Sequence, residues 1–341
     1  MPPSPAFRPP WWLRNGHSNT VYSFLRPRGI RLPEAHADWL PVALGVELLL
    51  RSHWQPHPAP ALLLVHGLEG SSEAGYMLTT ATRALAAGWS VVRMNVRGCG
   101  EGEARCSTLY NSGLSDDVRL AVEWVASRPG VTAVALAGFS MGGNLVLKYA
   151  GEAGLATPVR AVVAVSPCLD LDACADALHR KVNYFYERRF LAGLRQRLRR
   201  HAARFPERYP AALVGDQLDR LASVRAFDDV VTAPYTGYRD AADYYQRASA
   251  ARVLAAIRVP TLVLHAEDDP FIVITPPSRH ALDANPAVSF APTAHGGHCA
   301  FINGRAAANG TGIYWAEAAV VDFVAARTGR AADLAPDLAI D

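Results

Sequence analysis

Residues 133–147 read Ala-Val-Ala-Leu-Ala-Gly-Phe-Ser-Met-Gly-Gly-Asn-Leu-Val-Leu, and the rest of the chain is organised around them. The apolar run Ala133 to Ala137 predicts a buried strand, and the amphipathic segment Asn144 to Glu152 predicts a helix. Between them stands Gly138-Phe139-Ser140-Met141-Gly142. Glycines two before and two after the serine let the backbone turn sharply without a clash, so the hydroxyl stands exposed on a ridge. A Gly-x-Ser-x-Gly string by itself arises by chance. Its position between strand and helix gives this one the meaning of a nucleophile elbow.

Outward from the elbow, Ala61 to Val65 and Ala161 to Val165 are uninterrupted apolar strands, and Ser90 to Asn95 and Pro260 to His265 read as further strands, all separated by helical patterns. Continuous rather than alternating apolar strands argue for an α/β fold with a mostly parallel sheet covered by helices on both faces. Val118, Ala121, Val122 and Val125 give the apolar face of a helix that begins at Leu114-Ser115-Asp116-Asp117, and Ser71-Ser72-Glu73 predicts the cap of a helix reaching about Ala87. A strand is expected from Val42 to Ser52, a final short strand from Ala287 to Phe290, and a closing helix from about Gly312 to Arg327. Residues 168–250 are rich in arginine and tyrosine and helical in pattern, too long for a plain connection, and are expected to form an inserted helical cap. The expected organisation is thus an arm over 1–40, a hydrolytic domain over 41–327 with that cap, and a frayed tail over 328–341.

Half of the 341 residues are apolar and the net charge is only +3, which describes a globular chain and gives no reason to expect a nucleic-acid partner. The N-terminus is proline-rich rather than charged and then apolar, and no apolar run approaches the roughly 18–20 residues needed to span a bilayer. Five scattered cysteines without a CxxC pair suit a reducing compartment, so a cytoplasmic location is expected. Trp11 and Trp12 are read as packed aromatics, with a lipid anchor as the alternative; the basic run Arg195 to His201 is read as a solvated helix face. His53 and His57 lack companions for a metal set, and the glycine-rich loop 97–102 lacks the order of a phosphate-binding loop.

A serine hydroxyl at neutral pH needs a base within hydrogen-bond reach and an acid that orients that base. Ser140, an acidic cluster at 267–269 and histidines at 295 and 298 follow one another in the order Ser, acid, His, each just after an expected strand. Asp269, directly before Pro270-Phe271, is the preferred orienter, with Asp268 as the alternative and Asp170 or Asp172 behind it. His298 is preferred to His295. The N–H groups of Met141 and Leu68 are the candidate oxyanion donors, and His66 is read as a structural residue of its turn. Neither metal nor organic cofactor is implied.

Trp11-Trp12-Leu13-Arg14-Asn15-Gly16-His17, His66-Gly67-Leu68-Glu69-Gly70-Ser71-Ser72, Asn95-Val96-Arg97-Gly98-Cys99, Gly138-Phe139-Ser140-Met141-Gly142-Gly143-Asn144, Asp268-Asp269-Pro270-Phe271 and His295-Gly296-Gly297-His298 together resemble signatures of the YheT-like, or AB-hydrolase-4, family of the α/β-hydrolase superfamily, with its EMB8-like and ABHD branches. The resemblance covers roughly residues 8–325. It implies the α/β-hydrolase fold, a Ser140-Asp269-His298 triad and hydrolysis of carboxylic esters, in some members acylglycerols or phospholipids. Against that pattern the chain is expected to lack the N-terminal membrane anchor of animal relatives, and it reads Trp39-Leu40-Pro41-Val42-Ala43-Leu44-Gly45 where an acidic stretch is usual. The expected function is therefore serine esterase chemistry on a small ester of short or medium acyl chain. Thioesterase, acyltransferase or peptidase activity on the same triad, or a hydrolase-like binding protein, are the alternatives.

Overall fold

The computed structural model describes residues 7–307 and 312–328. The expected tail beyond Thr328 and the first six residues of the expected arm lie outside the described residues. Eight strands form one sheet: β1 (His36–Ala43), β2 (Val46–His53), β3 (Ala59–Val65), β4 (Ser90–Met94), β5 (Val131–Phe139), β6 (Val159–Val165), β7 (Thr261–Ala266) and β8 (Val288–Thr293). Their spatial order is β1-β2-β4-β3-β5-β6-β7-β8. The pairings of β1 with β2 and of β2 with β4 are antiparallel, and all the others are parallel.

The continuous apolar strands are explained by where their two faces go. In β3 alternate residues feed opposite cores: Ala61, Leu63 and Val65 pack into one cluster, Leu62 and Leu64 into the other. On the first face lie α3 (Ser115–Ala126), presenting Val118, Ala121, Val122 and Val125 as expected, and α4 (Met141–Ala153), the elbow helix. On the second face lie α2 (Gly75–Ala86) and the closing helix Trp315–Arg327. Between β6 and β7 the chain runs through α5 (Leu171–Leu178), α6 (Tyr184–Arg204) and a series of short helices, among them Ala241–Ala248, ending with 3-10 turns at Ala250–Arg252 and Leu254–Ala256.

Several expectations are corrected. The segment before the sheet is not merely extended: it holds a 3-10 turn at Trp11–Leu13, α1 (Gly16–Leu25) and β1. The strand expected over Val42 to Ser52 is a hairpin, split at Gly45, whose φ of +68° turns the chain. Ser71 and Ser72 do not cap α2. It starts at Gly75 behind Ala74, and the Ser71 hydroxyl accepts from the Glu73 N–H in a preceding turn. Trp11 is 80% exposed and Trp12 48%, so neither packs into the core. A second, two-stranded sheet, β9 (Ile302–Ala307) with β10 (Gly312–Tyr314), stands where a loop and the start of the closing helix were expected.

Candidate active site

The elbow is built by backbone crowding. β5 ends at Phe139, Ser140 takes φ +55° and ψ −118°, and α4 begins at once. A side chain on Gly138 would meet the Gly142 carbonyl oxygen at 2.2 Å, and one on Gly142 the Val65 carbonyl oxygen at 2.3 Å. Backbone cannot step aside as a flexible side chain can, so both positions admit glycine alone. A non-glycine residue at positive φ costs about 1–3 kcal/mol, which the Ser140 N–H bond to the Val165 carbonyl helps offset.

Three loops at the C-terminal edge of the parallel strands bring Ser140, Asp269 and His298 together. His298 Nε2 lies 3.0 Å from Ser140 Oγ, and His298 Nδ1 lies 2.8 Å from Asp269 Oδ2. The other Asp269 oxygen accepts from the N–H groups of Phe271 and Ile272 at 3.2 and 3.0 Å, and the carboxylate is fully buried. His298 is held from behind, its own N–H donating to Thr20 Oγ1 at 2.8 Å, and the Phe271 ring covers it with centroids 4.4 Å apart. Burial opposes a charged imidazole; the adjacent Cys299 sulfur and the Asp269 carboxylate outweigh it, so the His298 pKa stands well above the ordinary histidine value.

The alternatives fall elsewhere. Asp268 accepts from the Gly297 N–H at 2.9 Å and faces His295 Nδ1 at 3.4 Å, so these two pair with each other and bind the loop. Asp170 caps α5, and Asp172 pairs with Arg225. His66 is buried in its turn, Nδ1 donating to the Gly67 carbonyl at 2.8 Å while Nε2 accepts from the Val96 N–H at 3.1 Å; burial lowers its pKa to about 4. Among the described residues no group of His, Cys, Asp or Glu is arranged to hold a metal.

Leu68 and Met141 line the same cavity as Ser140. The Met141 N–H has no partner inside the helix because α4 begins with it. The Leu68 loop passes so close that a side chain on Gly67 would sit 3.0 Å from Ser140 Cβ. Tyr76 steadies that loop by accepting from the Gly67 N–H at 3.0 Å. The cavity encloses about 950 Å³, part of it open to solvent, and its walls are mainly apolar, among them Leu109, Leu171, Leu194, Phe190 and Ile272. At its polar side Asp228 is buried and accepts from Tyr245 at 2.7 Å and Thr232 at 2.6 Å; burial raises its pKa to about 6.

Sequence reading missed the partners of Glu69. From α6, Arg197 Nε donates to Glu69 Oε1 at 2.8 Å and its Nη1 to the Gly98 carbonyl, while the Tyr110 hydroxyl donates to the same Glu69 oxygen at 2.7 Å. A side chain on Gly193, one turn earlier, would meet Glu69 Oε2 at 2.7 Å and push that carboxylate aside. The basic run is therefore two-sided: Arg197 and His201 are buried, while Arg199 and Arg200 reach Asp219 and Glu103 on the surface. Replacing Arg197 with methionine leaves a part-buried carboxylate without its cation, and is expected to cost up to about 3 kcal/mol in urea denaturation at neutral pH. Adding Glu69→Gln to that variant is expected to return part of the loss.

Residues 60–304 match the family described as alpha/beta hydrolase fold. The chain belongs to the α/β-hydrolase family. It is 36% identical over 259 residues to YheT of Escherichia coli (strain K12), itself named only as a candidate esterase, and the match covers 74% of each chain. It is 33% identical over 247 residues to the phospholipase ABHD3 of Mus musculus, covering 72% of this chain but 59% of that one, so it spans less than two thirds of the mouse protein. The esterase Pf2001 of Pyrococcus furiosus superposes with a TM-score of 0.56 at 14% identity, over 89% of this chain and 99% of that one, a likeness of fold alone. This α/β-hydrolase is a hydrolytic enzyme, and no helix among its described residues is long and apolar enough to cross a membrane.

Proposed function

We propose that this α/β-hydrolase cleaves carboxylic esters through an acyl-enzyme. The observation that carries the reading is the His298 imidazole, 3.0 Å from the Ser140 hydroxyl and 2.8 Å from a buried Asp269 carboxylate at the wall of an apolar cavity. Ser140 Oγ attacks the ester carbonyl carbon as His298 Nε2 takes its proton. The Leu68 and Met141 N–H groups receive the oxyanion. Collapse breaks the bond to the alcohol oxygen, which leaves with the proton from His298. Water then attacks the acyl-serine, gives a proton to the same nitrogen, and frees the acid and the serine. Asp269 fixes the ring so that Nδ1 carries its proton throughout.

In this reading residues 168–250 are the cap, 41–327 the hydrolase domain, and the apolar walls take an acyl group of short or medium length. The names of YheT and ABHD3 support an ester substrate. Five free, buried thiols fit a cytoplasmic setting. A fluorophosphonate probe is expected to label Ser140 stoichiometrically, and a panel of p-nitrophenyl esters, acyl-CoA and aminopeptide substrates to show turnover on the esters first. An unlabelled serine, or preference for acyl-CoA or peptides, overturns the assignment.

A further inference from the structure

Among the described residues ten large hydrophobic residues are exposed, and eight of them fall on two short segments: Trp11, Trp12, Val21, Phe24 and Leu25 on and before α1, and Val182, Tyr184 and Phe185 at the start of α6. The segments are neighbours. Arg189 of α6 lies over the Phe24 ring at 4.4 Å, and His17 stacks on Tyr186 with centroids 5.7 Å apart. Trp12 packs edge-on against Tyr22 at 5.1 Å beside a shallow groove lined by Val21 and Leu25. The eight side chains therefore belong to one face rather than to scattered points.

α1 is amphipathic in the reverse sense. Its inward side carries Gly16, Asn19 and Thr20: Asn19 is fully buried, donating to the Leu13 carbonyl at 3.2 Å, and Thr20 receives the His298 N–H. Its outward side carries Val21, Phe24 and Leu25, at the spacing of one helical stripe. Water is a poor solvent for that stripe. Along the two segments themselves the exposed charges share one sign. From Phe7 to Pro33 the sequence has no acidic residue, and between His179 and Phe190 the only one is Glu187, buried against His179 and the Val224 N–H. Arg14, Arg26, Arg180, Lys181, Arg188 and Arg189 are all exposed. Tryptophan and tyrosine with snorkelling cations around an apolar stripe are what an interface between water and anionic lipid accommodates.

The face also borders the site. Tyr186 packs on Phe271 at 5.2 Å, and Phe271 on His298 at 4.4 Å. We propose that α1 and the start of α6 form a docking surface for an anionic lipid bilayer, which sets the mouth of the cavity against the membrane. Docking is independent of the ester reading; that lipid-borne esters enter the cavity from the bilayer rests on it.

The test is flotation of the full chain with vesicles of phosphatidylcholine, and with vesicles in which a quarter of that lipid is replaced by phosphatidylglycerol. The wild type is expected to float with the anionic vesicles at low salt and to be released in ~1 M salt, where the screening length is about 3 Å. Combining Trp11→Ser, Trp12→Ser and Phe185→Ser is expected to weaken flotation by roughly tenfold or more for each ring that inserts. Arg180→Glu with Lys181→Glu is expected to weaken it by roughly fivefold or more per site. All of these residues lie outside the cavity, so turnover of p-nitrophenyl acetate in solution stays at the wild-type rate. Wild type that ignores anionic vesicles, or a ring variant that floats as the wild type does, overturns the proposal. So does wild type that self-associates through this face while the ring variant stays monomeric. A chain that floats but turns over no ester defeats the hydrolytic reading and leaves docking intact; one that turns over esters and never floats does the opposite.

Discussion

Ser140→Ala is expected to lower kcat for p-nitrophenyl esters by about 10⁵–10⁶-fold, with KM nearly unchanged. Among the described residues the hydroxyl makes only one polar contact, 3.0 Å to His298 Nε2, and most of the cavity wall proposed to hold substrate is made by other residues. Losing the oxygen removes the attacking atom while leaving binding. On the proposed mechanism the residual rate is expected to come from the Leu68 and Met141 N–H groups, polarising a bound carbonyl for attack by water. His298→Ala is expected to be as damaging as Ser140→Ala, and the double variant little worse than either, because nucleophile and base act as one unit. Additive losses, each multiplying the other, would mean that the two side chains do not share a step. Steady-state kinetics of the three purified variants, with far-ultraviolet circular dichroism to confirm folding, decide the matter.

Much of this was legible in the sequence, for a physical reason. Strands buried on both faces are apolar along most of their length, so β3, β5, β6 and β7 announce themselves, and the elbow glycines sit where backbone approaches backbone. Chain order was enough to offer acid and base, because the C-terminal ends of parallel strands share one edge. Choosing Asp269 over Asp268 and His298 over His295 rested on neighbours rather than on any periodic signal. The geometry separates the pairs through contacts that no one-dimensional pattern encodes, such as Gly297 N–H on Asp268 and Thr20 on the His298 N–H.

What was not legible depends on whether a face is covered. Periodicity says which residues share a side of a helix, not what lies opposite. Trp11 and Trp12 were read as packed because aromatics usually are, and Arg197 as solvated because arginines usually are; both readings fail. Arg197 is buried because a carboxylate 128 positions earlier, Glu69, is brought against α6 by the loop after β3. β9 and β10 escaped notice because a two-stranded sheet of short segments leaves only a weak alternation.

Asp269→Asn is expected to cost about 10⁴-fold in kcat at neutral pH, and the hydrogen bonds around it say why a nearly isosteric change does so much. One Asp269 oxygen faces two backbone donors, Phe271 N–H and Ile272 N–H, so an asparagine NH₂ cannot occupy that position without donor meeting donor. The amide oxygen stays there, and the NH₂ group turns toward His298 Nδ1, 2.8 Å from the atom it replaces. A donor at Nδ1 takes its lone pair and leaves the ring proton on Nε2, facing Ser140. An imidazole protonated at Nε2 cannot accept the serine proton. The pH profile carries a second signature. In the proposed mechanism His298 is a base only when neutral, so wild-type activity is expected above its raised pKa and is expected to be lost as pH falls through it. Beside the Cys299 sulfur, the Asp269 carboxylate favours the imidazolium; with asparagine in its place His298 is expected to titrate at lower pH, and the acid limb of kcat/KM to move down even as the plateau falls. Asp268→Asn, whose partners are the Gly297 N–H and His295, is expected to do neither. Nitrogen-15 spectra of the histidine ring in the Asp269→Asn variant should show the proton on Nε2; a ring still protonated at Nδ1, or an acid limb that stays in place, would remove Asp269 from the role of orienter.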